Sequence, residues 1–266
     1  MTYIKEYWEN KEKRAKKAVD WTQKMAKQHP TAIRNAINNT VTYLESYRFH
    51  DFDPNPDMEI VVDDKDSVRA ILNEAREIEA EHSNKRLAVL NFSSFKNPGG
   101  MFEQGSKAQE ECLCHESFLY NVLKEKMSFY ENNRKNTNRA LYYNRALYTP
   151  DVIFGSLNSG TTCDVITCAA PNKSAAQKYC GVTAEENHKV LKSRIKFVLD
   201  IAREEEVDVL ILGAYGCGVF GQNATEVANI FKEFLSTTHQ CFDKVIFAIP
   251  DGKDKNLEKF KKVFKK

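Results

Sequence analysis

Apolar residues recur along the chain in two patterns, as short continuous runs and as positions spaced three or four residues apart. The continuous runs, which are typical of buried strands, occupy residues 58–62, 86–92, 151–154, 163–169, 207–213 and 244–249. The helical spacing occupies residues 66–82, which Asp66 can cap, and residues 109–126, 183–204 and 223–236. Because strands alternate with helices, the pattern predicts a three-layer α/β fold with a mixed, largely parallel sheet.

The first sixty residues follow a different pattern that is mostly helical. Apolar positions over residues 4–28 predict an amphipathic helix, and a second helix that Thr31 can cap follows it. Two prolines and three aspartates then indicate a loop at residues 50–57. We therefore divide the chain into a helical N-terminal extension, residues 1–57, packed on a core of residues 58–266.

Composition narrows the range of partners and compartments. The formal net charge of +2 gives no strong attraction to nucleic acid or to an acidic membrane. The N-terminal residues lack the apolar segment of a signal peptide, and no apolar run is long enough to span a membrane. Seven cysteines without a Cys-X-X-Cys pair favour reduced thiols, so we expect a cytoplasmic protein, and we expect a monomer. No cluster of residues has metal-ligand spacing, and we expect neither a metal ion nor a cofactor.

The most informative segment lies between a buried strand and a helix. The strand ends at Phe92, and Asn-Pro-Gly-Gly at residues 97–100 forces a turn in which two residues lack a Cβ. Such a turn lets main-chain N–H groups approach a ligand, usually an anion. Gln-Glu-Glu at residues 109–111 then opens the helix. Acidic residues in the first turn of a helix are common because they suit the helix dipole. The glutamates therefore indicate a ligand site only in combination with the strand and the glycine turn before them.

A second glycine loop follows the apolar run at residues 207–213. It contains Gly-Cys-Gly-Val-Phe at residues 216–220 and leads into a helix. Alone it predicts a generic phosphate-binding loop. A third motif, Ala-Pro-Asn at residues 170–172, ends the apolar run that begins near residue 163.

Taken together, these motifs resemble the microbial type of poly(ADP-ribose) glycohydrolase, a family of the macrodomain superfamily. That family carries three glycines, a spacer of six to eight residues and Gln-Glu-Glu, whereas this chain has Met101 in place of the third glycine. The loop at residues 216–220 resembles the macrodomain loop that wraps the diphosphate. The resemblance extends over residues 30–250 and implies a three-layer α/β/α macrodomain fold.

The resemblance implies hydrolysis of the ribose–ribose bond of poly(ADP-ribose). Glu111 matches the family's catalytic glutamate, which protonates the leaving oxygen and then helps water attack the anomeric carbon. The acid step needs a carboxyl with a raised pKa, which partial burial and a neighbouring carboxylate can supply. Glu110 matches the glutamate that stands next to the catalytic one in the family. It either supplies the neighbouring charge or holds the ribose or the loop. Consecutive helical residues point about 100° apart and cannot easily straddle one bond, so a single glutamate acts, helped by the diphosphate of the substrate.

The same resemblance implies which residues contact the substrate. In the first loop they are Asn97, Gly99, Gly100, Met101 and Gln109. In the second loop they are Gly216, Cys217, Gly218, Val219 and Phe220. The side chain of Met101 either turns away from the pocket or lies over the distal ribose, and we favour the second arrangement because the residue lies inside the ligand loop.

Other functions remain open. The chain could be a non-catalytic reader of ADP-ribose, or a hydrolase of mono-ADP-ribosylated molecules or other ADP-ribose derivatives, and the paired glutamates favour an enzyme. In each case the partner is ADP-ribose or an ADP-ribosylated substrate, with nucleic acid involved only if it is itself modified. Cys217 could be read as a nucleophile, but nothing in the sequence places His115 or His188 beside it.

Overall fold

The computed structural model describes residues 10–155 and 160–265. Within these ranges the chain forms one seven-stranded sheet and ten α-helices. The predicted α/β fold is confirmed. No helix of the described ranges combines the length and the apolar character that a membrane crossing requires.

The described elements alternate along most of the chain. The strands are β1 (Val41–Leu44), β2 (Glu59–Asp63), β3 (Leu87–Phe92), β4 (Arg145–Phe154), β5 (Thr161–Cys168), β6 (Val209–Leu212) and β7 (Lys244–Ala248). The helices are α1 (Lys11–Gln28), α2 (Pro30–Asn39), α3 (Ser67–Ala80), α4 (Gln109–His115), α5 (Leu119–Leu123), α6 (Met127–Lys135), α7 (Lys173–Cys180), α8 (Ala184–Glu204), α9 (Ala224–Leu235) and α10 (Asn256–Phe264).

The sheet has the order β1-β4-β5-β3-β6-β7-β2, with β3 at its centre. The strands from β5 to β2 in this order run parallel, while β4 is antiparallel to β5 and β1 is antiparallel to β4. Two large clusters of buried apolar side chains cover the two faces of the sheet. Burial on both faces explains why β3 reads as an almost continuous apolar run.

Most boundaries match the sequence patterns, and Asp66 caps α3 by accepting a hydrogen bond from the N–H of Arg69. Thr31 does not cap α2, because the helix already begins at Pro30, a residue favoured in a first turn. The predicted helix over residues 109–126 is interrupted near Ser117, which forms a β-bridge with the end of β4.

The N-terminal segment differs from its prediction in one respect. Residues 41–44 form the edge strand β1, so the segment is not wholly helical. The start of the first predicted helix, before residue 10, lies outside the described residues. The division into an extension of residues 1–57 and a core of residues 58–266 stays a prediction.

The sheet topology also determines where the predicted motifs meet. The first glycine loop follows β3, the Ala-Pro-Asn segment follows β5, and the second glycine loop follows β6. Because β3 pairs with both β5 and β6 in parallel, the three segments leave the same edge of the sheet side by side. Ligands of open α/β sheets bind at this carboxyl edge.

Candidate active site

Helix α4 is held to the central strand by its first residue. The side-chain oxygen of Gln109 accepts a hydrogen bond from the main-chain N–H of Phe92 at 2.8 Å. Its amide nitrogen donates to the carbonyl oxygen of Leu90 at 2.8 Å and to the hydroxyl of Ser67 at 3.1 Å. These bonds fix the point at which the helix begins, and with it the direction of the next two side chains.

Glu110 lies beneath the first glycine loop and is only 3% exposed. Its carboxyl accepts hydrogen bonds from the N–H of Ser94 at 2.7 Å and from the N–H of Gly99, while the amide of Asn91 donates at 3.3 Å. Burial raises the pKa of Glu110 from 4.5 to about 8, and the nearby charge of Glu111 adds to the effect. At neutral pH this carboxyl is therefore mostly protonated, and its contacts hold the loop in place.

Glu111 has one carboxylate oxygen bound to the loop and one without a partner. Its Oε1 accepts a hydrogen bond from the N–H of Met101 at 2.9 Å. Its Oε2 is buried and has no hydrogen-bond partner among the described residues. A buried polar atom left unpaired costs about 1–3 kcal/mol, so this oxygen is poised to interact with a bound molecule.

The close approach of the loop to both glutamates requires glycine at position 100. Gly100 has φ +62°, a left-handed conformation that residues with a side chain rarely adopt. A Cβ at this position would lie 2.5 Å from Oε1 of Glu111 and 3.0 Å from Oε2 of Glu110. The loop backbone thus fills the space against the two carboxyl groups.

The second glycine loop is fixed by buried side chains that the sequence analysis did not identify. The hydroxyl of Tyr215 donates to the carbonyl oxygen of Cys168 at the end of β5, at 3.0 Å. The amide of Gln222 donates to the carbonyl oxygen of Pro171 at 2.8 Å and exchanges two hydrogen bonds of 2.9 Å with Asn187. These contacts join the loop to the Ala-Pro-Asn segment and to α8.

This loop presents main-chain N–H groups that have no partner within the described residues. They belong to Gly216, Gly218, Val219 and Phe220. The N–H of Cys217 instead donates to the carbonyl oxygen of Ala214 at 3.1 Å. Several adjacent unpaired N–H groups form a concave site that suits an anion such as a diphosphate.

The thiol of Cys217 does not have the environment of a nucleophile. Burial raises its pKa to about 12, which keeps the sulfur protonated at neutral pH. His188 pairs with Glu226 at 2.7 Å, and His115 packs against the ring of Phe102. Cys217 is thus a packed side chain of the loop.

The two glycine loops enclose a cavity of about 470 Å³. The predicted site residues that line it are Asn97, Gly100, Met101, Gln109, Glu110, Glu111, Gly216, Gly218, Val219 and Phe220. Gly99 and Cys217 do not line it; Gly99 packs behind the loop, where a Cβ would lie 2.6 Å from the ring of Tyr120. No group of three or more His, Cys, Asp or Glu residues in the described ranges could hold a metal ion.

Ala170 of the predicted Ala-Pro-Asn motif also lines the cavity, whereas sequence reasoning missed Phe92, Ser93, Ser94, Ser106, Ala108 and Ala214. Those that directly follow β3 and β6 could have been found, because ligands bind at the carboxyl ends of parallel strands. Those in the spacer before Gln109 carry no signal of their own.

An aromatic stack joins the two loops at one end of the cavity. The rings of Phe95 and Tyr142 lie parallel with their centroids 4.1 Å apart, and the ring of Phe220 meets Tyr142 edge-on at 6.2 Å. Phe95 belongs to the first loop and Phe220 to the second. Tyr142, from a distant part of the chain, therefore helps to set the width of the cavity.

Helix α1 supports the first glycine loop from outside the cavity. The guanidinium Nε of Arg14 donates to the carbonyl oxygen of Gly105 at 2.7 Å. A Cβ on Gly105 would lie 2.1 Å from the carbonyl oxygen of Lys11 and 2.9 Å from the nitrogen of Ala15. The helix backbone therefore rests directly on the loop.

Comparisons with known proteins agree with this geometry. The family model of the microbial-type poly(ADP-ribose) glycohydrolase catalytic domain matches residues 12–155, more than half of the chain. The glycohydrolase of Thermomonospora curvata, solved with the inhibitor ADP-HPD, has 26% sequence identity and a TM-score of 0.79, over 95% of this chain and 100% of that chain. The glycohydrolase of Deinococcus radiodurans, solved with ADP-ribose, has 28% identity and a TM-score of 0.75, over 88% and 97%.

A search of curated proteins by sequence gave no match. The family match nevertheless covers α1 through β4, and therefore includes both glutamates and the first glycine loop. The structural matches extend over 95% and 88% of the chain. The resemblance predicted from the motifs is confirmed: this chain belongs to the family of microbial-type poly(ADP-ribose) glycohydrolases.

Proposed function

We propose that the chain hydrolyses the O-glycosidic ribose–ribose bond of poly(ADP-ribose) and releases ADP-ribose. Family membership supports the reaction class. The observation that carries the proposal for this chain is the unpaired Oε2 of Glu111, on a residue that lines a cavity between two glycine loops. A protein that only reads ADP-ribose does not need an unpaired carboxylate oxygen at that place.

In the proposed reaction, Glu111 first acts as an acid. It gives a proton to the leaving ribose oxygen as the bond from that oxygen to the anomeric carbon breaks. Positive charge develops on the ribose, and the negative charge of the substrate's own diphosphate stabilises it. Water then attacks the anomeric carbon and returns a proton to the Glu111 carboxylate. Glu110 binds the loop through the N–H of Ser94, and the same loop holds Glu111 through the N–H of Met101, so Glu110 acts as a positioning residue.

The second loop and its neighbourhood fit the rest of an ADP-ribosyl group. The four unpaired N–H groups suit the diphosphate. A recess of about 250 Å³ adjoins the main cavity, and both are lined by Phe92, Gln109 and Ala214. The recess is largely apolar, with Val68 and Pro250 among its walls, and we propose that it receives the nucleobase.

Replacement of Glu111 by Gln tests the proposal, because it preserves shape and removes the transferable proton. We expect hydrolysis of poly(ADP-ribose) to be abolished and affinity for ADP-ribose to stay within about tenfold, or about 1.4 kcal/mol. The matched control is Glu185→Gln, which removes an exposed carboxylate at the start of α8. Near-wild-type turnover in the Glu111 variant would remove this residue from the mechanism.

The same assay separates the reaction from its alternatives. Poly(ADP-ribose) and a mono-ADP-ribosylated protein are offered side by side to the wild-type chain, and the products are identified. Release of ADP-ribose from the polymer supports the proposal. Binding without turnover would indicate a reader, and turnover of the protein substrate alone would indicate a mono-ADP-ribosyl hydrolase.

We further propose that the chain acts as a cytoplasmic monomer. All seven cysteines are free thiols in the structure, which suits a reducing compartment. The small net charge gives nucleic acid no general attraction, so we expect it as a partner only when it carries ADP-ribose. Light scattering at micromolar concentration tests the oligomeric state.

A further inference from the structure

Met101 places a sulfur atom at the candidate active site. It stands in the first glycine loop, where the family pattern has a third glycine. Its side chain is 52% exposed and lines the main cavity between the two glycine loops. A glycine offers no side-chain atom that can be modified, whereas methionine offers a flexible and polarisable thioether. The replacement therefore adds a reactive group to the wall of the cavity.

The loop holds Met101 at this wall through both of its main-chain groups. Its N–H donates to Oε1 of Glu111 at 2.9 Å. Its carbonyl oxygen accepts hydrogen bonds from the N–H of Gln104 at 3.2 Å and from the N–H of Ser106 at 3.1 Å. The backbone cannot turn the side chain away without breaking these bonds. A chemical change in the side chain is therefore felt at the cavity.

The other described methionines are less exposed than Met101. Met25 is 2% exposed, and Met58 is partly buried against the apolar core. Met127 is 39% exposed at the start of α6 and does not line the main cavity. Met1 lies outside the described residues. Because oxidation of a side chain depends on its exposure, Met101 is the described methionine that an oxidant in solution reaches most readily.

The cysteines near the site are protected from the same oxidant. Burial raises the pKa of the Cys112 and Cys217 thiols to about 12, and it also raises the pKa of the Cys114 thiol. Peroxide reacts with the thiolate form of cysteine, which is scarce at neutral pH when the pKa is this high. A thioether has no proton to lose, so its reaction does not depend on such an equilibrium. At this site the methionine is therefore the group that a peroxide oxidises.

We propose that Met101 is an oxidation site through which a peroxide lowers the activity of the enzyme. The sulfur attacks one oxygen of hydrogen peroxide, and an S–O bond forms as the O–O bond breaks. The proton of the attacked oxygen passes to the departing hydroxide, which leaves as water. The sulfur loses two electrons to the peroxide and becomes a sulfoxide. The effect on turnover rests on the proposed function, whereas the oxidation itself does not.

The sulfoxide changes the chemistry of the cavity wall. Its oxygen carries partial negative charge and accepts hydrogen bonds, whereas the thioether is apolar. The same cavity already holds the carboxyl groups of Glu110 and Glu111, and the substrate brings a diphosphate to it. A further acceptor at this wall repels the anionic substrate. Because half of the Met101 side chain is in solvent, oxidation weakens binding and hydrolysis without unfolding the chain.

The test exposes the wild type, Met101→Leu and Met127→Leu to hydrogen peroxide after reductants are removed. Leucine keeps an apolar side chain of similar size and removes the sulfur. For each protein, kcat/KM on poly(ADP-ribose) and affinity for ADP-ribose are compared with its own values before treatment, and peptide mass spectrometry locates the added oxygen. We expect the wild type and Met127→Leu to gain oxygen at Met101 and to lose about tenfold in both quantities, the effect of one imperfectly paired polar group. Met101→Leu should retain the values that it had before treatment.

Reversal of the effect identifies its chemistry. Methionine sulfoxide reductases should restore the wild type, whereas a thiol reductant, which reverses disulfides and sulfenic acids, should not. Recovery with the thiol reductant alone would assign the effect to a cysteine and refute the proposal. Loss of activity in peroxide-treated Met101→Leu, or a Met101 sulfoxide that leaves ADP-ribose affinity unchanged, would also overturn it. If the untreated wild type does not cleave the polymer, the proposed function fails, and the affinity and mass measurements still decide the oxidation site.

Discussion

Replacing Gly100 with alanine places one methyl group between the loop and the two glutamates. Its Cβ would lie 2.5 Å from Oε1 of Glu111, well inside the normal contact distance, and 3.0 Å from Oε2 of Glu110. The clash meets the ends of flexible side chains, so the chain can still fold. The Glu111 carboxylate must then move and give up its hydrogen bond with Met101.

Two contributions set the expected magnitude. A Cβ on a residue with φ near +60° costs about 1–2 kcal/mol of folding stability. Loss of the bond between the Met101 N–H and the carboxylate adds about 1.5–3 kcal/mol, since one partner is charged. A general acid contributes about 10²–10⁴-fold to a rate, so its displacement should lower kcat on poly(ADP-ribose) by at least about a hundredfold.

Gly181 offers a matched control, because its φ of +61° equals that of Gly100 within one degree and its added Cβ meets nothing within 4 Å. Gly181→Ala should therefore show the backbone penalty in urea unfolding and keep its activity. The measurements are the initial rate of ADP-ribose release and the free energy of unfolding of both variants. Equal activity in the two variants would refute the idea that Gly100 makes room for the carboxylates.

Three further changes test other parts of the site. Burial raises the pKa of Glu110 to about 8, so its contribution to stability is fully present below pH 4.5 and is lost as the pH rises through 8. Between pH 4.5 and pH 8 the Tm of the wild type should therefore fall more than that of Glu110→Gln. Parallel plots of Tm against pH for the two proteins would contradict this. Met101→Gly should raise the ratio of kcat/KM on long polymer to kcat/KM on short substrates, and a ratio unchanged within about twofold would count against Met101 as an obstruction. Gln222→Ala leaves the buried amide of Asn187 without its partner and removes the hydrogen bond between the second loop and Pro171. We expect the free energy of unfolding to fall by about 1–3 kcal/mol and calorimetry to show weaker ADP-ribose binding.

The parts of the site that could be predicted from the sequence share one property. Each is a local pattern, such as a strand that ends at Phe92 and runs into glycines, or a helix that opens with Glu110 and Glu111. The residues that fix these patterns in space act from a distance. Tyr142 and Gln222 are single polar or aromatic residues whose roles appear only when separate segments meet, and nothing in their local sequence distinguishes them.

The fold shows the same division between local and distant causes. The central strand β3 was predictable because burial on both faces makes five of its six residues apolar. The edge strand β1 was not, because four residues with only Tyr43 buried give too short a pattern to distinguish from the helices before them. Gln109 shows the same limit of sequence-based prediction at the site itself. Its place in the motif was clear, but its hydrogen-bond partners are main-chain groups of β3, which the sequence does not reveal.

The contact of α1 with Gly105 bears on how the molecule can be divided. By composition and position, α1 belongs to the N-terminal extension, yet Arg14 and the helix backbone form the outer support of the catalytic loop. Removing residues 1–57 would expose that face of the loop to water and leave the Gly105 carbonyl without its guanidinium donor. The extension and the catalytic centre are therefore expected to unfold together as one cooperative unit, so that insertions and fusions are better tolerated at the charged loop of residues 50–57 than anywhere within α1.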